Sequence, residues 1–316
     1  MKPPLASDCY RLLPSNQRGL LCLGQVLAMT SLGILLSSRA SITLWVAGQL
    51  LLAIAFVQWF IILHECAHET MFRDSRLNRV FGHVASFFSL IPLQCWKRVH
   101  SSHHQWTGWQ DLDPTTASLV PRPLRTFERL LINLSWRFWI PIFSAIYRIQ
   151  NYWNLPRLRT FYRNGQHWSA MLFNTISLIL VYIATLIVFG PRQVVAISGV
   201  ALIVAFLLED LLILSQHTHI PQKISSGLKV RPFTALEQEA FTRSLRFPPW
   251  VSKHLLFNFD AHELHHMYPF VPGYYLRRIS YVGRNEIGCW TWIRAAKGIR
   301  GEDFLFRNQN DTGIRV

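Results

Sequence analysis

Four apolar runs set the first limit on what this chain can become. Residues 20–38 (LLCLGQVLAMTSLGILLSS), 42–63 (ITLWVAGQLLLAIAFVQWFIIL), 170–189 (AMLFNTISLILVYIATLIVF) and 193–214 (QVVAISGVALIVAFLLEDLLIL) stand out. Each is close to the ~20 residues that cross a hydrocarbon layer of ~30 Å. The gaps after 38 and after 189 are short, so the runs predict two helical hairpins. Only 16% of the residues are charged, against ~25% in an ordinary soluble domain, which fits a chain that spends much of its length in lipid.

Charge then gives an orientation. The two short loops hold only Arg39 and Arg192, and nearly every other Lys and Arg falls on the opposite side. By the positive-inside rule, that basic side faces the cytoplasm together with both termini. Lys2, Arg11 and Arg18 ahead of the first run have the look of a secretory signal. The run is longer than such a signal needs, however, and Arg39 stands where a small-residue cleavage site would lie, so a retained helix is expected. The formal charge of +15 reads first as topology and contact with anionic headgroups. A docking face for an acidic redox partner is a second reading compatible with it. No nucleic-acid-binding module is present. Five cysteines without a C-x-x-C pair read as thiols of a reducing compartment.

The expected architecture is a single all-α integral membrane domain. It has a cytoplasmic tail (1–19), a first hairpin (20–63), a cytoplasmic or interfacial segment (64–169), a second hairpin (170–214) and a cytoplasmic segment (215–316). The apolar pieces 84–95 and 130–147 are short for spans. Each is expected as a helix lying in the headgroup region or re-entering it, with a fifth crossing as the weaker alternative; the second carries Trp136, Arg137 and Trp139. Trp290 and Trp292 beside Arg294 and Lys297 suggest another interfacial anchor, with a soluble cap as the alternative.

Ten of the thirteen histidines fall in four clusters: His64 and His68; His100, His103 and His104; His217 and His219; His262, His265 and His266. His83, His167 and His254 stand apart and read as surface or packing residues. On a helix, residues three and four apart share a face, so His64 and His68 can grip one ion or two adjacent ions. In HSSHH and HELHH the first His faces both members of the final pair. Those two diverge by about 100° on a helix of 3.6 residues per turn. One can then turn to one ion and its neighbour to a second, which argues for a two-metal centre. All four clusters lie on the predicted cytoplasmic face or at its boundary.

The segment HECAH (64–68) also satisfies H-E-x-x-H, the signature of helix-borne zinc proteases. A catalytic zinc uses three protein ligands and leaves a position for water, far fewer than the imidazoles offered here. Imidazole suits zinc, copper, iron and nickel alike, so the ligands alone do not name the metal. In a two-metal centre Glu65 reads as a residue that orients a ligand imidazole. An intramembrane zinc protease remains the remote alternative.

HECAHE, HSSHH and HELHH, in this order around two hairpins, resemble the three histidine boxes of the membrane fatty acid desaturase family. NFDAHELHHMYPFVPGYYL (258–276) is similar to that family's third-box region, and HHQWTGWQDLDP to its second-box continuation. The resemblance runs from about residue 42 to 276. It implies a non-haem di-iron enzyme that removes hydrogen from unactivated C–H bonds with O2 and externally supplied electrons. By the same resemblance His64, His68, His100, His103, His104, His262, His265 and His266 correspond to box ligands. The family draws a further His from the segment after the last span, where SQHTHIP offers His217 and His219. His217, nearer the helix end, is preferred. For Asn258 the resemblance implies a weak or water-mediated metal contact, while its position four residues before His262 also suits a helix cap.

Several acids could support the site. Glu209 and Asp210 lie in the last turns of an apolar run, where charge is costly, about two helical turns before His217. Asp111, Asp113, Asp260 and Glu263 flank the second and third boxes and could orient imidazoles. No H-P-G-G segment and no nucleotide fingerprint occur, so the donor is expected to be a separate ferredoxin or cytochrome. Expected, then, are two iron ions, O2 as co-substrate and a lipid acyl chain as substrate. A carotenoid ketolase or hydroxylase of the same di-iron type is the closest alternative.

Overall fold

The protein is described here from a computed structural model covering residues 3–4, 9, 11–162 and 165–316. Lys2 and most of the tail before Arg11 lie outside the described residues. Among the described residues, four helices are long and apolar enough to cross a membrane. They are α1 (Asn16–Ser37), α2 (Ile42–His68), α8 (Gly165–Phe189) and α9 (Pro191–His217). Between α2 and α8 lie α3 (Ser75–Ser89), α4 (Leu93–Trp106), α5 (Thr126–Arg137), α6 (Ile142–Arg148) and α7 (Leu155–Phe161). After α9 come the short helices α10 (His262–Met267), α11 (Gly273–Leu276), α12 (Cys289–Lys297), α13 (Gly301–Phe306) and α14 (Gln309–Thr312). Strands β1 (Leu245–Arg246) and β2 (Ile287–Gly288) form one small parallel pair.

The long helices extend past the apolar runs at most ends. The first begins at Asn16, four residues before the run, because Ser15 caps it by accepting from the Arg18 N–H. The second continues through His68 and stops at Glu69, whose φ of 62° is the left-handed turn that closes many helices. The polar residues His64, Glu65 and His68 therefore ride on the last turns of an unbroken helix. On the far side, Gly190 takes φ 77° and Pro191 opens α9, the usual order of a permissive residue before a first-turn proline.

Helix α2 is the centre of the molecule. It packs against α1, α3 and α9, and Trp59, Phe60, Ile61, Ile62 and Leu63 are fully enclosed. Small residues permit the approach of α1. A Cβ on Gly33 would lie 2.6 Å from Leu52, and one on Gly48 would lie 2.5 Å from Ser37. Gln49 ties α2 to α9, donating to Ile197 O (2.6 Å) and accepting from Ala201 N–H (2.9 Å). Helix α9 packs chiefly on α2, whereas α8 touches α3, α4 and α9 more lightly.

Three sequence expectations are corrected. The piece 84–95 is not one helix, because Leu90 (φ 56°) ends α3 and Pro92 precedes the start of α4. The piece 130–147 is likewise divided, α5 ending before Trp139 (φ 53°) and α6 starting after Pro141. Of the two readings of the segment around 290–297, the anchor does not hold for Trp292, and burial there fits the cap. Trp290 is exposed, but Trp292 is buried against Phe304 in a second core formed by α5, α12 and α13.

Candidate metal centre

Four helices bring the imidazoles together. The last turns of α2 carry His64 and His68, α4 carries His100, His103 and His104, and His217 is the final residue of α9. Half of helix α10 is the last cluster, His262, His265 and His266. Its six residues are too few to be stable alone. They are held by tertiary contacts on all sides, and the whole helix is buried.

Neighbouring histidines diverge, and they sort into two groups. His64, His68, His100 and His265 offer ring nitrogens within 4.8 Å of one another, and so do His103, His217, His262 and His266. His104 Nε2 lies 3.2 Å from His100 Nε2 and 3.0 Å from His265 Nε2, which makes it a fifth member of the first group. Thus His103 turns to one group and His104 to the other, and His265 and His266 repeat the split.

The outer nitrogens fix the inner ones. His217 Nδ1 faces the Phe241 carbonyl at 3.1 Å and His266 Nδ1 faces Gln238 Oε1 at 2.8 Å. His64 Nδ1 faces Glu65 Oε1 at 3.1 Å and His103 Nδ1 faces Asp113 Oδ2 at 2.6 Å. Each partner is an oxygen that accepts, so each Nδ1 carries a proton and each Nε2 is turned to the interior. His217 Nε2 and His266 Nε2 both point at His262 Nε2, at 2.8 and 3.0 Å. His262 has at most one proton there for two lone pairs. Among the described residues, His64 Nε2 and His68 Nε2 are buried with no hydrogen-bond partner. Converging lone pairs of this kind are costly in a dry interior and suit a cation. Ligands ~2.1 Å from a metal at right angles stand about 3.0 Å apart, the spacing seen here.

Burial, reinforced by neighbouring imidazoles, holds His100, His104, His262, His265 and His266 well below the ordinary histidine range. They are neutral near pH 7 and need shed no proton to bind a metal. Burial alone would raise the Asp113 carboxyl, but its attraction to the facing His103 ring and hydrogen bonds from His103 and Thr115 N–H outweigh it. The net result is a carboxyl below its ordinary value.

The other predicted residues separate cleanly. Glu65 touches His64, and its second oxygen accepts from Thr70 Oγ1 and the Gly273 N–H, each at 2.8 Å. Asp113 touches His103. Asp111 instead accepts from Ser225 N–H and Oγ. Asp260 takes Ser252 and Arg277, and Glu263 takes the N–H groups of Ser244 and Asn285. Glu209 pairs with Arg148, and Asp210 accepts from the Ser144 N–H, so neither reaches a histidine. Those two acids tie α9 to α6. His219 stands in a left-handed turn (φ 64°), meets Thr312 Oγ1 at 2.8 Å and stacks on Phe304, away from both groups. Asn258 does not share a helix with His262, since α10 begins at His262 itself. It sits at φ 60° and donates to the Gly273 carbonyl at 3.0 Å.

Residues outside the sequence reading complete the frame. The turn Glu237–Phe241 and the residues just after it supply three of them. Gln238 spans His266 Nδ1 and the His104 carbonyl, Phe241 O holds His217, and Arg243 donates to Ser215 O and Thr218 O. Arg243 thereby satisfies carbonyls that the end of α9 would leave open. Thr115 Oγ1 lies 3.0 Å from His103 Nδ1 and 2.8 Å from Asp113 Oδ1.

A narrow cavity of about 70 Å³ lies against both groups. His64 and His100 of the first group line it together with His103, His217 and His262 of the second. The rest of its wall is mostly apolar, including Phe60, Trp96, Tyr147, Ile213 and Phe259. Thr116, Leu119, His217 and Thr218 also line a second cavity that reaches Gln110, Arg307 and Asn308.

Similarity to known proteins agrees with this arrangement. The family model described as fatty acid desaturase matches residues 40–288. The chain is 22% identical over 240 residues to an omega-3 fatty acid desaturase of the endoplasmic reticulum from Vigna radiata, covering 72% of this chain and 62% of that protein. It is 23% identical over 252 residues to the Arabidopsis thaliana acyl-lipid omega-3 desaturase (cytochrome b5) of the endoplasmic reticulum, covering 72% and 61%. With the sn-2 acyl-lipid omega-3 desaturase (ferredoxin), chloroplastic, of Helianthus annuus it shares 22% over 244 residues, covering 72% and 53%. The chain thus spans about three fifths or less of the length of these relatives. With its family match running through every helix that carries a clustered histidine, the chain belongs to the fatty acid desaturase family.

Proposed function

We propose that this chain is a membrane fatty acid desaturase that holds two iron ions in its paired histidine groups and forms a C=C bond in a lipid acyl chain. The observation that carries the reading is the shared cavity. One largely apolar cavity is lined by imidazoles of both groups, so a methylene segment of an acyl chain reaching it would meet the two metals together. His64, His68, His100, His104 and His265 would hold one ion, and His103, His217, His262 and His266 the other. Bound iron would supply the O2-dependent oxidising power that an unactivated C–H bond requires. The balance is a –CH2–CH2– unit, O2, two electrons and two protons giving –CH=CH– and two waters.

The chain's own residues do the positioning. Glu65 and Asp113 hold the protons on His64 Nδ1 and His103 Nδ1, so that each Nε2 stays available. Trp96 and Phe259 pack edge-on against His64, Trp96 also lies face-on to His100, and Phe60 backs both of these rings edge-on; together they keep bulk water from the groups. The proposed ligands are all imidazoles, unlike the carboxylate-rich shells of soluble di-iron bundles.

The domain arrangement is part of the proposal. Residues 20–63 and 170–214 form two membrane hairpins, and 64–169 with 215–316 build a cytoplasmic cap around the metals. The scarcity of Lys and Arg in the two short loops supports this sidedness, with both termini on the cytoplasmic face. Electrons come from an external ferredoxin or cytochrome; relatives named above carry cytochrome b5 in one name and ferredoxin in the other.

The test is a mass-spectrometric profile of lipids and pigments from a host that makes ordinary acyl lipids and β-carotene and carries a ferredoxin system. Acyl chains lighter by one H2 are expected, and their double-bond position gives the regiochemistry. Unchanged acyl chains with oxygenated carotenoid would overturn the acyl reading. His104→Ala should abolish the product while the protein stays in the membrane.

A further inference from the structure

On the far side of segment 257–259 from the reaction cavity, a much larger cavity of about 820 Å³ lies between the first turns of α1 and residues 246–258 and 274–278. It shares no lining residue with the cavity beside the histidines. Its charge is one-sided. Arg18, Arg246, Lys253 and Arg278 line it, none of them in an ion pair among the described residues, and no Asp or Glu lines it. Arg277, a fifth base in the wall, is already engaged by Asp260 (2.8 Å) and Glu286 (2.7 Å).

Four uncompensated cations around one concavity repel one another, and an anion with several oxygens relieves them. The wall is not only charged. Leu21, Phe247 and Phe257 supply apolar surface and Tyr274 a phenolic hydroxyl. That pairing of cations and apolar surface matches a headgroup with the first carbons beneath it, rather than a bare ion. Leu21 and Cys22 belong to α1, so the cavity meets the bilayer where that helix enters it, provided α1 crosses the membrane as proposed. A concave site of this size also suits a headgroup better than the broad face of a folded acidic protein.

We propose that this cavity binds the phosphate-bearing headgroup of an anionic glycerophospholipid, at a site separate from that of the lipid being desaturated. The occupant would lie against Asn258 and Tyr274, which flank the Gly273 backbone that holds Glu65. It would thus brace the frame of the first histidine group from outside.

The test reads lipid binding, not turnover, so it stands or falls apart from the reaction. Full-length protein in detergent is titrated with phosphatidylglycerol, phosphatidylcholine or inorganic phosphate, following retained lipid by native mass spectrometry and the thermal midpoint. Phosphatidylglycerol alone should be retained and raise the midpoint. R18Q/R246Q/K253Q should weaken it roughly tenfold or more, while R73Q/R76Q/R79Q, which removes equal charge from exposed positions elsewhere, should bind as wild type. If the first triple variant does not fold, the single variants R246Q and K253Q must each weaken binding. Equal loss in both triple variants would show diffuse surface attraction and overturn the site. So would an equal response to inorganic phosphate, an equal response to phosphatidylcholine, or protection only by an acidic redox protein.

Discussion

Glu65 and Gly273, 208 residues apart, meet through a hydrogen bond of 2.8 Å from the Gly273 N–H to Glu65 Oε2. The other carboxylate oxygen faces His64 Nδ1 at 3.1 Å. One side chain therefore sets the tautomer of a proposed ligand and pins the segment after α10 to the end of α2. Asn258 holds the same glycine from the other side by donating to its carbonyl.

This relationship predicts the outcome of Glu65→Gln. An amide has one accepting oxygen where the carboxylate has two. If that oxygen serves Gly273 and Thr70, the amide N–H meets His64 Nδ1, forces the proton to Nε2 and removes the lone pair. If it serves His64, two donors face each other at Gly273. Metal affinity should fall about 10- to 100-fold with the fold retained, read as iron per protein after dialysis. Gly273→Ala should act in the same direction, because its Cβ would lie 2.9 Å from Phe257 O and 3.2 Å from Glu65 Oε1. Full iron content in both variants would remove the clamp from the mechanism.

The two histidines of SQHTHIP should behave oppositely. His217 Nε2 lies 2.8 Å from His262 Nε2, whereas His219 binds Thr312 and stacks on Phe304. His217→Ala is expected to halve the iron content and abolish desaturation. His219→Ala should leave iron content unchanged and cost about 1 kcal/mol of stability through its lost hydrogen bond. Iron lost from the His219 variant and kept by the His217 variant would reverse the assignment.

What the sequence disclosed, and what it withheld, depends on how local each signal is. The four apolar runs and the i, i+3 and i, i+4 histidine spacings are properties of short segments, and the four long helices and the divergence of His103 from His104 come directly from them. Gln238, Phe241, Arg243 and Thr115 carry no such pattern. Gln238 becomes significant only because a turn lays it between α4 and α10, 134 residues from His104 and 28 from His266. Glu65 and Asp113, close in sequence to the histidines they touch, were legible; Glu209 and Asp210 failed for a similar reason. Glu209 lies two turns from His217 in sequence, but Arg148, 61 residues away, occupies it. Asn258 shared a face with His262 only if one helix joined them, and its left-handed backbone breaks that helix.

Acid should destabilise the metal-stripped protein in a defined window. In the folded state His100, His104, His262, His265 and His266 are held well below the ordinary range, while in the unfolded chain they titrate near 6.5. Below about pH 6.5 the unfolded chain takes up protons that the folded groups refuse, so stability declines as pH falls. Above that value both states are neutral and the profile is flat. The thermal midpoint of stripped protein in detergent, measured from about pH 8 to about pH 5, should show a plateau and then a fall. A midpoint independent of pH would mean that these imidazoles are not buried together as described.

Arg148 and Glu209 form the buried ion pair that joins α6 to α9, and Arg148 also donates to Ser89 O at 3.1 Å and lies over the rings of Phe60 and Phe206. Next to it, Tyr147 lines the cavity beside the histidines. Removing one partner leaves the other charge buried and uncompensated, which costs about 3–5 kcal/mol, whereas replacing both by apolar residues is often close to neutral. Arg148→Met is therefore expected to be much less stable than wild type, and Arg148→Met with Glu209→Leu to recover most of the loss. Denaturant or thermal unfolding in detergent measures both. If the double variant is no more stable than the single one, the pair acts mainly through the contacts of Arg148 to Ser89, Phe60 and Phe206 and not through its charge.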